Sequence, residues 1–228
     1  MQNKLINKIL TVAHTKGGVG KSTILNQIVI FLLSLGFKIR VADCDPNKVT
    51  TFISKRRARN TKLKNFTSTV ISTPQELEIF CNTPFDGITV IDTAGVDCAL
   101  TRKSIELGTI TVVPVAPVTT EFIGFGTFKA VVSKLKVSNS RIKVVLNQVH
   151  TRAKDFQDFK TAAKSPFDFF DTALPRLTDF DNSLAQGTGV TELPKVKHPK
   201  TKELQERTSS FRIKSLTKEI ISLLELGA

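Results

Sequence analysis

The chain has 228 residues, which is enough for one α/β domain with a full hydrophobic core. Its 40% hydrophobic and 23% charged residues exclude a disordered chain, and no apolar run is long enough to span a bilayer. The formal net charge of +13 predicts attraction to polyanions. The first ten residues lack a continuous apolar core, so no secretory signal is expected there, and Cys44, Cys81 and Cys98 have no metal-ligand spacing. We therefore expect a cytoplasmic protein with reduced thiols.

Short apolar segments alternate with helical stretches, a pattern typical of a parallel sheet covered by helices on both faces. A helix is predicted at 22–35, where apolar residues repeat at helical spacing. A second begins after Thr73, which precedes a proline, and a closing helix is predicted at 202–224 after a loop at 195–200. Without a linker to divide it, residues 1–228 are predicted to be one doubly wound α/β domain. Strands are predicted at 9–13, 38–42, 66–71, 88–91, 109–113, 142–146 and 169–173.

Lysine and arginine are concentrated in three stretches. Residues 55–64 contain six of them and residues 129–154 contain seven, both without an acidic residue, and residues 195–218 contain eight. A solvated face is the alternative explanation for any single stretch. The three together favour a nucleic-acid-binding surface.

A glycine-rich segment lies between the first strand and the first helix, the position that a phosphate-binding loop (P-loop) requires. Glycine lets backbone N–H groups close around phosphate oxygens, and the positive end of the helix points at the same anion. Lys21 is expected to neutralise the β- and γ-phosphates, Ser22 to bind Mg²⁺, and Thr23 to donate to the α-phosphate. The Gly-Lys-Ser ending argues against a chance turn. The predicted nucleotide ligands here are Lys16, Gly17, Gly18, Val19, Gly20, Lys21, Ser22 and Thr23.

Aspartates follow two of the predicted strands. Asp43 and Asp45 follow the second strand, and a strand end beside a P-loop suits carboxylates that serve a metal or a water, although Asp-Pro alone is also a common turn. Asp92 follows the strand at 88–91 and is expected to hold a magnesium-bound water. Gly95 would let a backbone N–H approach the γ-phosphate.

The string Lys-Gly-Gly-Val-Gly-Lys-Ser-Thr resembles the deviant Walker A motif of the ParA/MinD family of ATPases. Thr15 stands where the usual motif begins with glycine, and Lys16 follows it. In that family, the first lysine contacts the phosphates bound by the partner in a nucleotide-sandwich dimer. The resemblance therefore implies an ATP-dependent homodimer with Mg²⁺, in which Lys16, Lys21 and Asp45 are catalytic.

The resemblance extends over most of the chain. Asp43-Cys44-Asp45-Pro46-Asn47 resembles the family's switch I segment, with asparagine in place of the usual glutamine, and implies that Asp45 orients the attacking water and Asp43 lies near the magnesium. Asp92 and Gly95 resemble switch II. Pro117 and Asn147 match positions near the nucleotide, for which a strand terminator is the alternative at Pro117.

Two functions follow from this resemblance. The first is a short, plasmid-partition type of ParA that binds DNA non-specifically on the nucleoid and is stimulated by a ParB-like protein on the cargo. Its DNA contacts would come from the C-terminal helices, at Arg207, Arg212, Lys214 and Lys218. The alternative is a membrane-surface positioning ATPase like MinD, which would need an amphipathic helix at 214–224. Glu219 and Glu225 disfavour that helix, so no membrane partner is expected.

Overall fold

The computed structural model describes residues 5–150 and 156–226, in which seven strands form one parallel sheet. The strand order is β3-β2-β4-β1-β5-β6-β7, so the chain winds outward from β1 in both directions. This confirms the predicted doubly wound α/β fold. The strands are β1 (Lys8–Val12), β2 (Ile39–Cys44), β3 (Thr67–Val70), β4 (Ile88–Thr93), β5 (Ile110–Val115), β6 (Ile142–Leu146) and β7 (Asp168–Phe169).

Helices cover both faces of the sheet, and each main hydrophobic cluster lies between the sheet and a layer of helices. The α3 helix begins as predicted, because the Thr73 hydroxyl accepts from the Glu76 N–H at 3.2 Å and Glu76 reaches back to the Thr73 N–H. In the described part of the chain, no helix has the length and apolar character for a bilayer crossing. The helices are α1 (Lys21–Ser34), α2 (Val49–Ala58), α3 (Pro74–Asn82), α4 (Ala99–Leu107), α5 (Glu121–Val132), α6 (Gln157–Ala163), α7 (Thr178–Ala185) and α8 (Thr208–Leu226).

The fold places a site at the carboxyl ends of the central strands. The strand order reverses between β1 and β5, and in open α/β sheets ligands bind in the crevice at such a reversal. The loop after β1 and the ends of β2 and β4 meet at this edge. In register, Asp43 of β2 lies opposite Asp92 of β4, and Asp92 lies opposite Val12 of β1.

The C-terminal third differs from the sequence prediction in three places. The last strand of the sheet is limited to Asp168–Phe169, not 169–173. The closing helix begins at Thr208, six residues later than predicted, and the predicted loop at 195–200 is part of a hairpin formed by β8 (Val196–Lys197) and β9 (Leu204–Gln205). The His198 N–H donates to the Glu203 carbonyl at 2.8 Å, and Lys202 adopts a φ of 62° in the turn. This pairing takes residues 202–207 out of the helix.

The sequence suggested that the basic stretch at 55–64 lies on the surface, but the structure buries one of its arginines. Arg57 is 1% exposed, and its guanidinium forms an ion pair with Glu192. The stretch at 129–154 also forms contacts within the chain: Lys143 pairs with Asp168 at 3.0 Å on the surface, and Lys129 donates to the Ala163 carbonyl at 2.7 Å. Its last residues, from 151 onward, lie outside the described residues.

Candidate functional site

The loop between β1 and α1 surrounds open space. Gly18 and Gly20 have φ angles of 77° and 90°, in the left-handed region that glycine adopts without strain. A Cβ atom added at Gly17 or Gly18 would meet no other atom within 4 Å. The predicted P-loop therefore has the backbone curvature and the empty centre that an anion requires.

The first turn of α1 points into this loop with its amides free of side-chain caps. Gly20 is the N-cap residue and no side chain caps the helix. The first amides of a helix have no intrahelical acceptor, so those of Lys21, Ser22 and Thr23 are available to an anion. The predicted roles of these three residues are compatible with this geometry.

The Lys21 ammonium is buried below the loop. Its Nζ donates to the Lys16 carbonyl at 3.1 Å. Burial lowers the pKa of Lys21, while the charges of Asp92 and Asp45 act to raise it. A phosphate would give this desolvated cation a stronger acceptor than a carbonyl.

A buried hydrogen-bond chain fixes the Asp92 carboxylate. Asn26 Nδ2 donates to Thr50 Oγ1 at 2.7 Å, and that hydroxyl donates to Asp92 Oδ2 at 2.7 Å. Burial raises the pKa of Asp92 to about 7. The hydrogen bonds from Thr50 and Ser22 act to lower this pKa, and the negative charges of Asp43 and Asp45 act to raise it. Asn26 and Thr50 were missed in the sequence, because their polar side chains carry no motif of their own.

Asp92 also has an oxygen without a partner. Its Oδ1 is buried and forms no hydrogen bond, whereas the Asp43 carboxylate accepts from the Thr51 N–H at 2.8 Å. No group of three or more His, Cys, Asp or Glu in the described residues could hold a metal ion alone. Mg²⁺ typically takes one or two carboxylates and completes its shell with water and phosphate. Ser22, Asp43 and Asp92 therefore fit a magnesium site that a nucleotide completes.

Asp45 lies at the wall of a cavity of about 620 Å³ at the mouth of the loop. Its Oδ1 accepts from the Asn47 N–H at 2.8 Å, which stabilises the turn before α2. Asp45 therefore takes part in a turn, and its half-buried carboxylate also lines the cavity. The lining also includes Gly17, Gly18, Gly20, Lys21, Ser22, Thr23, Pro46, Asn47, Ala94, Gly95 and Gln148.

Gly95 lies against the P-loop backbone. A Cβ atom at this position would lie 2.7 Å from the Gly17 Cα and 2.8 Å from the Gly17 nitrogen. Any side chain at Gly95 would therefore displace one of the two segments. The contact supports its predicted approach to the phosphates.

Asn147 and Pro117 occupy different surroundings. Asn147 Nδ2 donates to the Val19 carbonyl at 2.7 Å, and its neighbour Gln148 donates to the Gly18 carbonyl at 3.0 Å, so both hold the P-loop from the end of β6. Pro117 follows β5 and is not among the described residues that line the cavity at the P-loop. Nucleotide contacts by Asn147 and Pro117 remain predictions.

Lys16 is held within its own chain. Its Nζ forms an ion pair with Glu121 Oε1 at the start of α5, and its backbone N–H donates to His14 Nδ1 at 3.0 Å. The Lys16 side chain is 40% exposed and that of Glu121 is 11% exposed. Glu121 was missed in the sequence because it lies 105 residues from Lys16.

A parallel sheet, a glycine loop leading into a helix and two strand-end aspartates define a P-loop nucleotide-binding protein. The sequence profile of the CobQ/CobB/MinD/ParA nucleotide binding domain matches residues 10–190. The chain therefore belongs to this family, which confirms the predicted resemblance to ParA and MinD. In a comparison of sequences with curated proteins, no protein matches this chain.

Solved structures share this fold over almost their whole length. A Borrelia burgdorferi B31 protein described as a plasmid partition protein, bound to AMPPNP, is 17% identical with a TM-score of 0.67, over 94% of this chain and 98% of that one. The ATP complex of a McdA variant from Cyanothece is 14% identical with a TM-score of 0.68, over 95% and 96%. The Pyrococcus furiosus cell division ATPase MinD is 14% identical with a TM-score of 0.68, over 96% and 100%. At these identities the likeness shows the fold.

Proposed function

We propose that this protein is a magnesium-dependent ATPase whose nucleotide binds in the cavity at the P-loop. The observation that carries this proposal is the convergence of an empty glycine loop, the buried Lys21 ammonium and the unpaired Asp92 Oδ1. The α1 amides and Lys21 would hold the phosphates, and Asp45 at the cavity wall would orient the attacking water. Slow intrinsic turnover is expected.

Ser22, Asp43 and Asp92 are the residues that we assign to Mg²⁺. When bound, the ion would neutralise charge that develops on the phosphate oxygens. Thr50 and Asn26 orient the Asp92 carboxylate by hydrogen bonds, so they are positioning residues for this site.

Two substitutions test the ATPase proposal. Lys21→Ala should abolish binding of a fluorescent ATP analogue, because it removes the ammonium buried beneath the loop, whereas the Lys16 ammonium is paired with Glu121. Asp45→Ala should keep analogue binding and lose phosphate release. Lys143→Ala, which removes a lysine from a surface pair with Asp168, is the matched control and should change neither. Analogue binding by Lys21→Ala, or normal hydrolysis by Asp45→Ala, would refute these assignments.

We further propose that ATP brings two copies together and that Lys16 then contacts the nucleotide of the other subunit. Two facing triphosphates repel, and a lysine supplied by each subunit offsets that repulsion. The ion pair with Glu121 would have to open first, because Lys16 Nζ is bound to its own chain.

The biological role that we infer is DNA partition, with non-specific DNA binding and a ParB-like partner on the cargo. The net charge of +13 supports it. Of the four predicted DNA contacts, Arg207 pairs with Asp179 at 3.0 Å and Lys214 pairs with Glu206, which leaves Lys218 exposed and Arg212 half-buried.

The MinD-like alternative needs an unpacked amphipathic helix. The apolar side of α8 is instead buried in the main core, where Ile213, Leu216 and Ile220 are each 0% exposed. Sedimentation with anionic liposomes and with DNA, each with ATP and with ADP, separates the two roles. ATP-dependent pelleting with DNA supports partition, and ATP-dependent pelleting with liposomes alone supports the alternative.

A further inference from the structure

Two exposed basic segments lie outside the nucleotide site. The first is the end of α2 and the loop after it, and the second is the β8–β9 hairpin. In the described part of the chain, none of their exposed lysines and arginines forms an ion pair. The acids on the hairpin are Glu203 and Glu206, of which Glu206 pairs with Lys214. The exposed cations are Lys55, Arg56, Arg59, Lys62 and Lys64 on the first segment and Lys195, Lys197, Lys200 and Lys202 on the second.

Arg57 joins these two segments from inside. Its Nε donates to the Lys64 carbonyl at 2.6 Å, which shapes the loop after α2. Its two terminal nitrogens donate to both carboxylate oxygens of Glu192, at 2.8 and 2.5 Å. One guanidinium therefore binds the first basic segment and the chain that leads into the second.

The same contact brings the hairpin base close to α2. Glu192 precedes Lys195 by three residues, so their Cα atoms are at most about 10 Å apart. Arg57 Nη1 also donates to the Gly187 carbonyl at 3.0 Å. A Cβ atom added at Gly187 would lie 3.0 Å from the backbone nitrogen of Arg57. Gly187 has a φ of 74°, so glycine is needed both for the turn and for this close approach.

We propose that these nine cations form one basic surface that binds the phosphate backbone of duplex DNA; this rests on the proposed DNA-binding function and assigns it to a surface other than α8. The surface is called the α2–hairpin surface. Its flexible cations fit phosphates, which position a protein without reading sequence. Within residues 52–64 and 194–206, the exposed large apolar side chains are Phe52 and Leu204. These are too few for the apolar face of a membrane-inserting segment.

Three double substitutions, each removing two positive charges, test this surface. They are Lys197→Gln with Lys200→Gln on the hairpin, Arg56→Gln with Arg59→Gln at the end of α2, and Arg212→Gln with Lys218→Gln on α8, the competing location that the family resemblance implies. Binding of a duplex of arbitrary sequence is measured by fluorescence anisotropy with ATP and Mg²⁺ across salt concentrations. Each lost phosphate contact should reduce the slope of log K against log salt by about 0.9. In an ATP-bound dimer each double substitution removes four cations, so the hairpin and α2 pairs should each reduce the magnitude of that slope by up to about 3.6, and the α8 pair should leave it unchanged.

Each outcome decides the proposal. If the wild type binds DNA and either the hairpin pair or the α2 pair keeps its slope, or the α8 pair lowers it as much as they do, the α2–hairpin surface is refuted while DNA binding stands. If the wild type binds no DNA at any salt concentration, the proposed DNA-binding function itself fails. If the hairpin pair loses binding to phosphatidylglycerol vesicles but not to DNA, the partner is a membrane. Unchanged binding of the ATP analogue in all three variants shows that each is folded.

Discussion

His14 is a fully buried residue beside the P-loop. Its Nδ1 accepts from the Lys16 N–H, and its ring stacks on Phe128 with centroids 5.5 Å apart. Burial, followed by the charges of Lys21 and Lys16, lowers the pKa of His14 from 6.5 to about 4. The imidazole is therefore neutral in the folded protein at pH 7, with its proton on Nε2.

This lowered pKa predicts a loss of stability in acid. Below pH 6.5 the unfolded chain takes up a proton on His14, whereas the folded chain takes it up only near pH 4. The free energy of unfolding should thus fall by up to about 3 kcal/mol between pH 7 and pH 4 through this group. Urea unfolding of the wild type and of His14→Gln at several pH values measures it. A wild type that loses no more stability than His14→Gln over this range would contradict the assignment.

Individual residues also show how far sequence reasoning reaches. The P-loop, Asp43 and Asp92 could be predicted because strand, loop and helix follow each other along the chain and their chemistry is local. Thr50, Glu121 and Arg57 could not, because their partners lie 42, 105 and 135 residues away. Arg57 was assigned to the surface, since an arginine in a basic stretch gives no sign of a buried carboxylate partner.

At the level of elements, α5 contacts the P-loop through the Lys16–Glu121 ion pair. Glu121→Gln should weaken this contact, so Lys16 would be released more readily to a second nucleotide. A partly exposed pair contributes about 0.2–1 kcal/mol, and two pairs must open per dimer. We therefore expect the ATP-bound dimer to form at a protein concentration about two-fold to 30-fold lower, measured by analytical ultracentrifugation.

The control for Glu121→Gln is Glu78→Gln, which removes a carboxylate from the surface pair with Lys103 and should leave dimerisation unchanged. A Glu121→Gln protein that dimerises at the wild-type concentration, or only at a higher one, would show that the ion pair does not restrain Lys16.

The contact between α2 and the segment before the hairpin depends on Arg57. Replacing Arg57 with Leu removes the guanidinium donor from the Gly187 and Lys64 carbonyls and the cation from the Glu192 carboxylate, so the free energy of unfolding should fall by about 3 kcal/mol. Lys38→Gln is the comparison, because both partners of the Lys38–Asp86 pair are 68% exposed. It should cost less than about 1 kcal/mol. Equal losses in urea unfolding would show that Arg57 does not stabilise this contact.

The bounds of an element could be predicted where local sequence determines them, and could not where a distant segment does. Strand β6 was predicted at its observed bounds and α3 at its capping residue, since their signals are contained in the segment itself. The hairpin was predicted as a loop and the start of α8 was placed too early, because residues 202–207 have helix-compatible composition. Cross-strand pairing with Val196 and Lys197 decides their structure instead.

At the scale of the whole molecule, the proposed nucleotide site and the proposed DNA surface share one helix, α2. The first turn of α2 contacts the carboxylates of the nucleotide site through Thr50 and Thr51, and its last turn carries Lys55 and Arg56 on the proposed DNA surface. The net charge of +13 favours DNA at any nucleotide state, so a dependence on ATP would have to come from dimerisation.

The mass of the protein in solution, measured by light scattering with ATP analogue and Mg²⁺ for the wild type and for Lys16→Ala, tests the central claim most directly. The wild type should double its mass when the analogue is added and remain a monomer with ADP. Lys16→Ala should bind the analogue and stay a monomer. A wild type that remains a monomer with analogue bound, or a Lys16→Ala protein that dimerises as the wild type does, would contradict the account.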